Sequence, residues 1–336
     1  MAITIKDVAR ESGVNVSTVS RALNGEYGVH AGTREHVLAI AKRLHYRPNR
    51  VARGLVTGRS HSLALVVSDI RNPFFAEVAR GAEDAAYAAD YDLVLCNSDL
   101  DAEKQLRYVQ SLMEKRIDGI LMNSVAALSK KQVEQLSGFG VPIVLLNRAA
   151  PRNAFSTISA DNDAGGALAG EYLWKLGHRK IAHLTGPRHH GNMTERAEGF
   201  VRSLAEARKP VRPVILHGKN NFQGGVELAD KLLALHPDTT AIFVASDMMA
   251  FGVIRALMEA GRRIPDDVSV IGFDNVELST IVNPSLTTIH QPKYEIGQAA
   301  VEILLRLAGR GEHQAPEHRL FGVHLVERKS CMELKS

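Results

Sequence analysis

Cysteine is nearly missing from this 336-residue chain: Cys96 sits in an apolar strand-like run and Cys331 near the end. Two cysteines so placed supply neither a disulfide framework nor zinc-ligand spacing, so both are expected as free thiols, with no metal site. Long apolar runs are missing too. No stretch approaches the ~20 apolar residues that cross a bilayer, and nothing in the first 30 residues resembles a signal-peptide core. A cytoplasmic chain with no membrane contact is the expectation. Catalytic signatures are equally scarce: there is no G-x-S-x-G elbow, no P-loop, no G-x-G-x-x-G after the first strand, and no pair poised as nucleophile and base. No catalytic residue and no cofactor are expected.

What is present is an ordinary globular composition, 45% hydrophobic and 23% charged, long enough for two or three domains. The charge is uneven. Residues 1–59 hold 10 Lys and Arg against 4 Asp and Glu, a balance of +6, which leaves 31 against 33, or −2, for residues 60–336. A small basic module ahead of a near-neutral body points to nucleic acid or another anionic surface.

Within that module, Thr4 with Asp7 matches a helix start, and Ile5, Val8 and Ala9 share a face before Gly13 breaks the run. Asn15 can cap a second helix, in which Val19, Ala22 and Leu23 share one face while Ser17, Ser20, Arg21 and Asn24 share the other. A third helix, from about Gly32 to Leu44, brings Val37, Ile40, Ala41 and Leu44 to complete the core. Three amphipathic helices alone would make only a small bundle. The turn glycine, the polar second helix and the local charge together favour a helix-turn-helix that enters the major groove. Arg21 can then donate two hydrogen bonds to a guanine edge, Val16 can pack on a thymine methyl and Ser17 can bond either kind of base. Thr18 and Ser20 suit phosphates. In "RPNRVARGL", residues 47–55, Pro48 suits a first turn and Val51, Ala52 and Leu55 form a small apolar face. This segment is too short to be a stable helix alone. With Arg50 and Arg53 exposed, it reads either as a linker or as a helix formed on DNA, where Leu55 would be a minor-groove wedge.

From Leu63 onward, apolar runs alternate with helical stretches near Phe74 to Ala89, Glu103 to Lys115 and Ser129 to Phe139, which implies a parallel sheet covered on both faces. "KIAHLTG", "PVILHG", "AIFVAS" and "VSVIGF" repeat the theme, giving two similar α/β halves, and Tyr294 to Leu307 with "GVHLVERKS" ends the pattern. Ligands of open parallel sheets lie beyond the carboxyl ends of the strands, and those ends carry Ser68, Asp69, Asn123, Asn147, Arg148, Asp161, Ser246, Asp247, Asp274 and Asn275. Phe74 and Phe75 open the first body helix, and "HHGNMTER" adds His190, Asn192 and Arg196. Bidentate polar groups with stacking rings suit a sugar. Asp161 and Asp247 precede helices and could serve as caps, a role favoured for Asp161.

The stretches "TIKDVARESGVNVSTVSRALNG" and "YRPNRVARGL" resemble the DNA-binding headpiece of the LacI/GalR family of bacterial regulators. The resemblance extends over essentially the whole chain. It implies an α/β protein with a small all-α helix-turn-helix headpiece at 1–46, a hinge helix and linker at 47–60, and a periplasmic-binding-protein-like body at 61–336. The body would have two subdomains of parallel sheets, crossing over near 148–160, near 287–292 and at the final strand. It places Val16, Ser17 and Arg21 at base-reading positions and Leu55 at the intercalating one, and it departs at His30, where a serine-like cap is common. It assigns Arg196 and Asp274 to effector contact, with Asn147, Ser246 and Gln291 as companions. Purine-binding members carry an arginine and a threonine where this chain has His190 and Asn192. A ribose-like pentose or a hexose is therefore expected, with a purine or nucleoside as the alternative. A sugar-binding transport protein would share the body but not the headpiece. No leucine heptad run closes the chain, so a homodimer on a palindromic operator is expected. Its DNA affinity would be switched by effector-driven movement of the subdomains.

Overall fold

The protein is described by a computed structural model for residues 3–46, 58–123, 130–147, 154–188, 191–309 and 315–334. Two units divide it, Met1–Ser60 and His61–Ser336. The expected hinge helix, with Arg50, Arg53 and Leu55, falls outside the described residues.

In the amino-terminal unit, Thr4 donates from its backbone N–H and its hydroxyl to Asp7 Oδ2 and opens α1 (Ile5–Ser12). Gly13 closes that helix at φ 68, a conformation that disfavours any side chain carrying a Cβ. Asn15 Oδ1 accepts from the Thr18 N–H at 2.7 Å and starts α2 (Val16–Leu23), and α3 (Ala31–Arg43) follows. His30 precedes α3 without a side-chain cap bond, so the one departure from the family's pattern leaves that helix intact. Val8, Val19 and Val37 are wholly buried where the three helices meet, and Ile5, Leu23 and Leu44 pack around them. Each full burial of this kind is worth roughly 1.5–3 kcal/mol.

The larger unit holds two six-stranded sheets. Its elements run β1 (Ser62–Val67), α4 (Pro73–Ala88), β2 (Asp92–Asn97), α5 (Ala102–Glu114), β3 (Gly119–Met122), α6 (Lys130–Ser137), β4 (Ile143–Leu146) and β5 (Ser156–Ala160). There follow α7 (Asn162–Lys175), β6 (Ile181–Thr185), α8 (Gly191–Ala205), β7 (Val214–His217), α9 (Phe222–Leu235), β8 (Ala241–Val244) and α10 (Asp247–Glu259). The last are β9 (Ser269–Asp274), α11 (Leu278–Ile281), β10 (Thr287–His290), α12 (Lys293–Gly309), β11 (His318–Phe321) and β12 (His324–Val326). The sheets have the orders β11-β5-β4-β3-β1-β2 and β12-β10-β9-β8-β6-β7. The first is parallel throughout, and in the second only β12 runs antiparallel, against β10.

The chain therefore passes between the halves after β5, after β10 and between β11 and β12. Two elements differ from the expectation. The strand "HRLF" of β11 was not expected; it pairs with β5 at the sheet edge, and although its exposure alternates, its four residues are too few and no apolar-polar alternation in the sequence marks them. The last long helix begins at Lys293, one residue before the expected Tyr294.

Strands such as β1, buried along nearly their whole length, are apolar on both faces because helices cover both. In the first half α4 and α12 lie so close that a Cβ on Gly81 would sit 2.0 Å from the Tyr294 carbonyl oxygen. A Cβ on Gly297 would lie 2.1 Å from that of Val78. Only glycine permits this backbone contact.

Candidate functional site

The second helix of the amino-terminal unit presents Val16, Ser17, Arg21 and Asn24 to solvent, with Thr18 and Ser20 half-buried beside them. Val16, the first residue of the helix, is 40% exposed, unusual for a valine, while Val19 and Ala22 fill the core. Ser17 donates to Asn15 Oδ1 at 2.7 Å, and Asn24 donates to Glu26 at 3.3 Å. An exposed helix bearing apolar, hydroxyl, guanidinium and amide groups over nine residues carries the chemistry needed to read base edges.

The second site lies between the two sheets of the body, beyond the carboxyl ends of their strands. Ser68, Asp69, Asn72, Phe74, Phe75, Leu100, Asn123 and Asn147 line it from the first half. Asn192, Met193, Arg196, Asn220, Ser246 and Asp274 line it from the second. In this conformation it holds a cavity of about 60 Å³, room for a few water molecules.

Arg196 lies at its centre, on α8, and is almost wholly buried. Its Nε donates to Asn162 Oδ1 at 2.9 Å, its Nη1 donates to the Ala245 carbonyl, and its guanidinium covers the Phe273 ring at 3.6 Å. Asp274 Oδ1 stands 3.6 Å from Arg196 Nη1 and accepts from Gln291 Nε2 at 2.6 Å. Burial pushes the Asp274 carboxyl up from its ordinary value, against the opposing pull of Arg196 and Lys293. Burial likewise lowers Arg196, against Asp274 and Glu195. Desolvation thus outweighs pairing, as is usual for buried ions. Asn147 carries a buried Oδ1 with no hydrogen-bond partner, an acceptor open to a ligand's hydroxyl or N–H. Phe74 and Phe75 meet edge to face, with centroids 5.2 Å apart.

The cleft thus gathers Phe74, Phe75, Asn123, Asn147, Asn192, Arg196, Ser246 and Asp274 from the expected set. Two expected members stand behind it. Asp247 is fully buried and accepts from the Val276 N–H at 2.9 Å and the Thr288 hydroxyl at 2.6 Å, so it braces the loop after β9 instead of facing a ligand. Nor is it the cap of α10, because Ser246 takes that place. Gln291 is also fully buried and acts through Asp274. Arg148 and His190 fall outside the described residues. Asp161 caps α7, accepting from the Ala164 N–H. Asn72, Leu100, Met193 and Asn220 were not anticipated; Asn220 lies in the loop after β7 and accepts from the Ser246 hydroxyl at 2.7 Å.

Among the described residues no group of three or more His, Cys, Asp or Glu is placed to hold a metal, and no helix is long and apolar enough to cross a membrane. Cys96 and Cys331 are free thiols.

A helix-turn-helix unit carried on the same chain as a two-sheet ligand cleft defines the class of ligand-responsive transcription regulators. The family described as bacterial regulatory proteins, lacI family, matches residues 4–49, and a periplasmic binding protein-like domain matches residues 171–331. Catabolite control protein A of Priestia megaterium is 39% identical over 308 residues, 91% of this chain and 92% of that protein. The transcriptional repressor PurR of Vibrio cholerae is 39% identical over 335 residues, 98% of each. The ribose operon repressor of Halalkalibacterium halodurans is 37% identical over 303 residues, 90% of this chain and 89% of that one.

Among solved structures, the Lac repressor dimer bound to operator and an anti-inducer has a TM-score of 0.87 at 30% identity, covering 99% of this chain and 100% of that one. A LacI family regulator from Enterococcus faecium with bound ribose has a TM-score of 0.74 at 32% identity, covering 82% of this chain and 100% of that one. The chain belongs to the lacI family of bacterial regulators. Its relatives are regulators and not enzymes.

Proposed function

We propose that the chain represses transcription in the cytoplasm as a homodimer on a palindromic operator, and that a small sugar held between the halves of its body sets the DNA affinity. The observation that carries the ligand class is the lining itself: amides, two hydroxyls, a guanidinium and two carboxylates converge from both halves, and the buried amide oxygen of Asn147 lacks a partner. A polyol satisfies such a set because each hydroxyl both donates and accepts. The ribose-bound regulator and the ribose operon repressor support this reading. A dimer follows from geometry, since one recognition helix spans only a half-site. Arg50, Arg53 and Leu55 form the DNA-induced hinge in this reading, with Leu55 as the wedge.

A purine is the second reading. It is favoured by the Phe74–Phe75 pair at the cleft and by the similarity to PurR. A thermal-shift screen of the full chain with D-ribose, other pentoses and hexoses, hypoxanthine and guanine separates the two. Calorimetry on the best ligand then compares Asp274→Ala with Phe75→Ala. The greater loss at Asp274 is expected for a sugar, and a greater loss at Phe75 would move the ligand to a planar base.

A further inference from the structure

Two consecutive non-glycine residues leave β9 with positive φ, Asp274 at 118° and Asn275 at 54°. Backbone in that region persists only where the surroundings hold it. Lys293 holds it: its Nζ donates to the Asp274 carbonyl at 2.8 Å, the Asn275 carbonyl at 3.0 Å and the Gln291 carbonyl at 3.3 Å. All three of its protons are thereby directed at backbone oxygens in a nearly solvent-free place, and Lys293 does not line the cleft.

The position of this lysine in the chain matters more than its bonds. Lys293 is the first residue of α12, which crosses back from the second half and packs on α4 in the first. Its neighbour Tyr294 donates from its hydroxyl to Asp84 of α4 at 2.9 Å. Adjacent residues of one helical turn therefore grip opposite halves. The gripped loop faces both ways as well: Asp274 lines the cleft, while Val276, two residues on, is buried in the hydrophobic core of the first half. Asp247 holds the Val276 N–H, and Arg328 donates to Asn275 Oδ1 at 2.6 Å, so the loop is held at successive residues.

We infer that Lys293 is a positioning residue that links ligand occupancy at Asp274 to the placement of α12, and so transmits effector binding across the second crossover. The inference rests on the proposed ligand switch but singles out a residue outside the cleft. A ligand that draws the Asp274 carboxylate shifts the carbonyls on either side of it. Three carbonyl contacts carry that shift to α12, whose backbone contact with α4 leaves no slack. Two-state elements pass a signal in this way when both sites bias the same equilibrium.

The test uses full-length wild type, Lys293→Met and Tyr294→Phe, with D-ribose as the probe and an operator duplex selected by the wild type from a random pool. The readout is the ratio of operator affinities without and with ribose. The ratio is expected to move at least five-fold closer to one in Lys293→Met and two- to three-fold closer in Tyr294→Phe. A wild-type ratio in Lys293→Met overturns the inference, and if that variant does not fold, a wild-type ratio in Tyr294→Phe overturns it.

Hydrogen exchange without ligand is the second readout. Residues 274–278 and 293–297 should exchange at least ten-fold faster in Lys293→Met, with β6 unchanged. Unchanged protection at 293–297, or a loss shared equally by β6, shows a structural lysine only. If wild type does not respond to ribose, the sugar reading falls and the exchange result alone decides the role of Lys293.

Discussion

The two polar surfaces of this protein are built in opposite ways. The second headpiece helix and its C-cap gather their polar side chains from nine consecutive residues and leave Ser17, Arg21 and Asn24 in water. The cleft gathers its lining from positions as far apart as Ser68 and Asp274 and buries much of it. A surface meant for a large polyanion needs exposure and charge, and its groups exchange water for DNA at small cost. A cleft for the small neutral ligand proposed above needs partners already aimed, so its groups satisfy one another until a ligand competes for them.

This contrast breaks hardest at Arg196. Arg196→Ala leaves Asp274 buried beside a lost cation and strands the Ala245 carbonyl and Asn162. Removal of one partner of a buried pair costs roughly 3–5 kcal/mol, so chemical denaturation should show a large loss of stability and calorimetry no measurable ligand binding. Operator affinity without ligand should change little, and a large change there would mean the two surfaces are not separable.

Arg21→Ala is the matching cut in the headpiece. It should weaken specific operator binding by about 1–3 kcal/mol and relax preference at one base pair. Anisotropy titrations on operator and scrambled duplexes measure both, and the melting temperature should not move.

Acidity sharpens the comparison further. Burial raises the Asp247 and Asp274 carboxyls above their ordinary value. A carboxyl raised in the folded state holds a proton that the unfolded chain has lost, so its contribution is full below about pH 4 and declines as pH rises toward the folded value. Asp247→Asn should flatten the fall of stability with pH, by up to about 1.4 kcal/mol per pH unit. Urea unfolding from pH 5 to 8 checks this, and the headpiece, which has no buried carboxyl among its described residues, should show no matching slope.

The smallest effect is expected at Gly13→Ala, where a Cβ meets open space but φ 68 disfavours it. The headpiece should lose about 1 kcal/mol, visible in its thermal transition, with ligand binding untouched.

Legibility in the sequence follows the same division. Val8, Val19 and Val37, and the polar face opposite them, could be read because helical spacing sorts faces within a few residues. Strands such as "LALVVS" stood out as apolar runs, and their carboxyl ends located the cleft. Spacing does not say which way a side chain points at a strand end. Ser246 faces the cleft while Asp247, its neighbour, turns inward to Val276 and Thr288, and that choice depends on residues distant in sequence. Gln291, which came from the resemblance and not from a strand end, is buried behind Asp274. Leu100 and Met193 are apolar residues in a polar cleft, and nothing local marks them.

The three passages of the chain between the halves set the thermodynamics of closure. A ligand that bridged two separate molecules would bear the loss of their translational and rotational freedom, several kcal/mol or more. Here the halves are already tethered at three places, so each sees the other at a high effective concentration and closure is close to an internal rotation. A small ligand of the kind proposed would therefore need only to tip a balance between arrangements that the covalent chain keeps within reach.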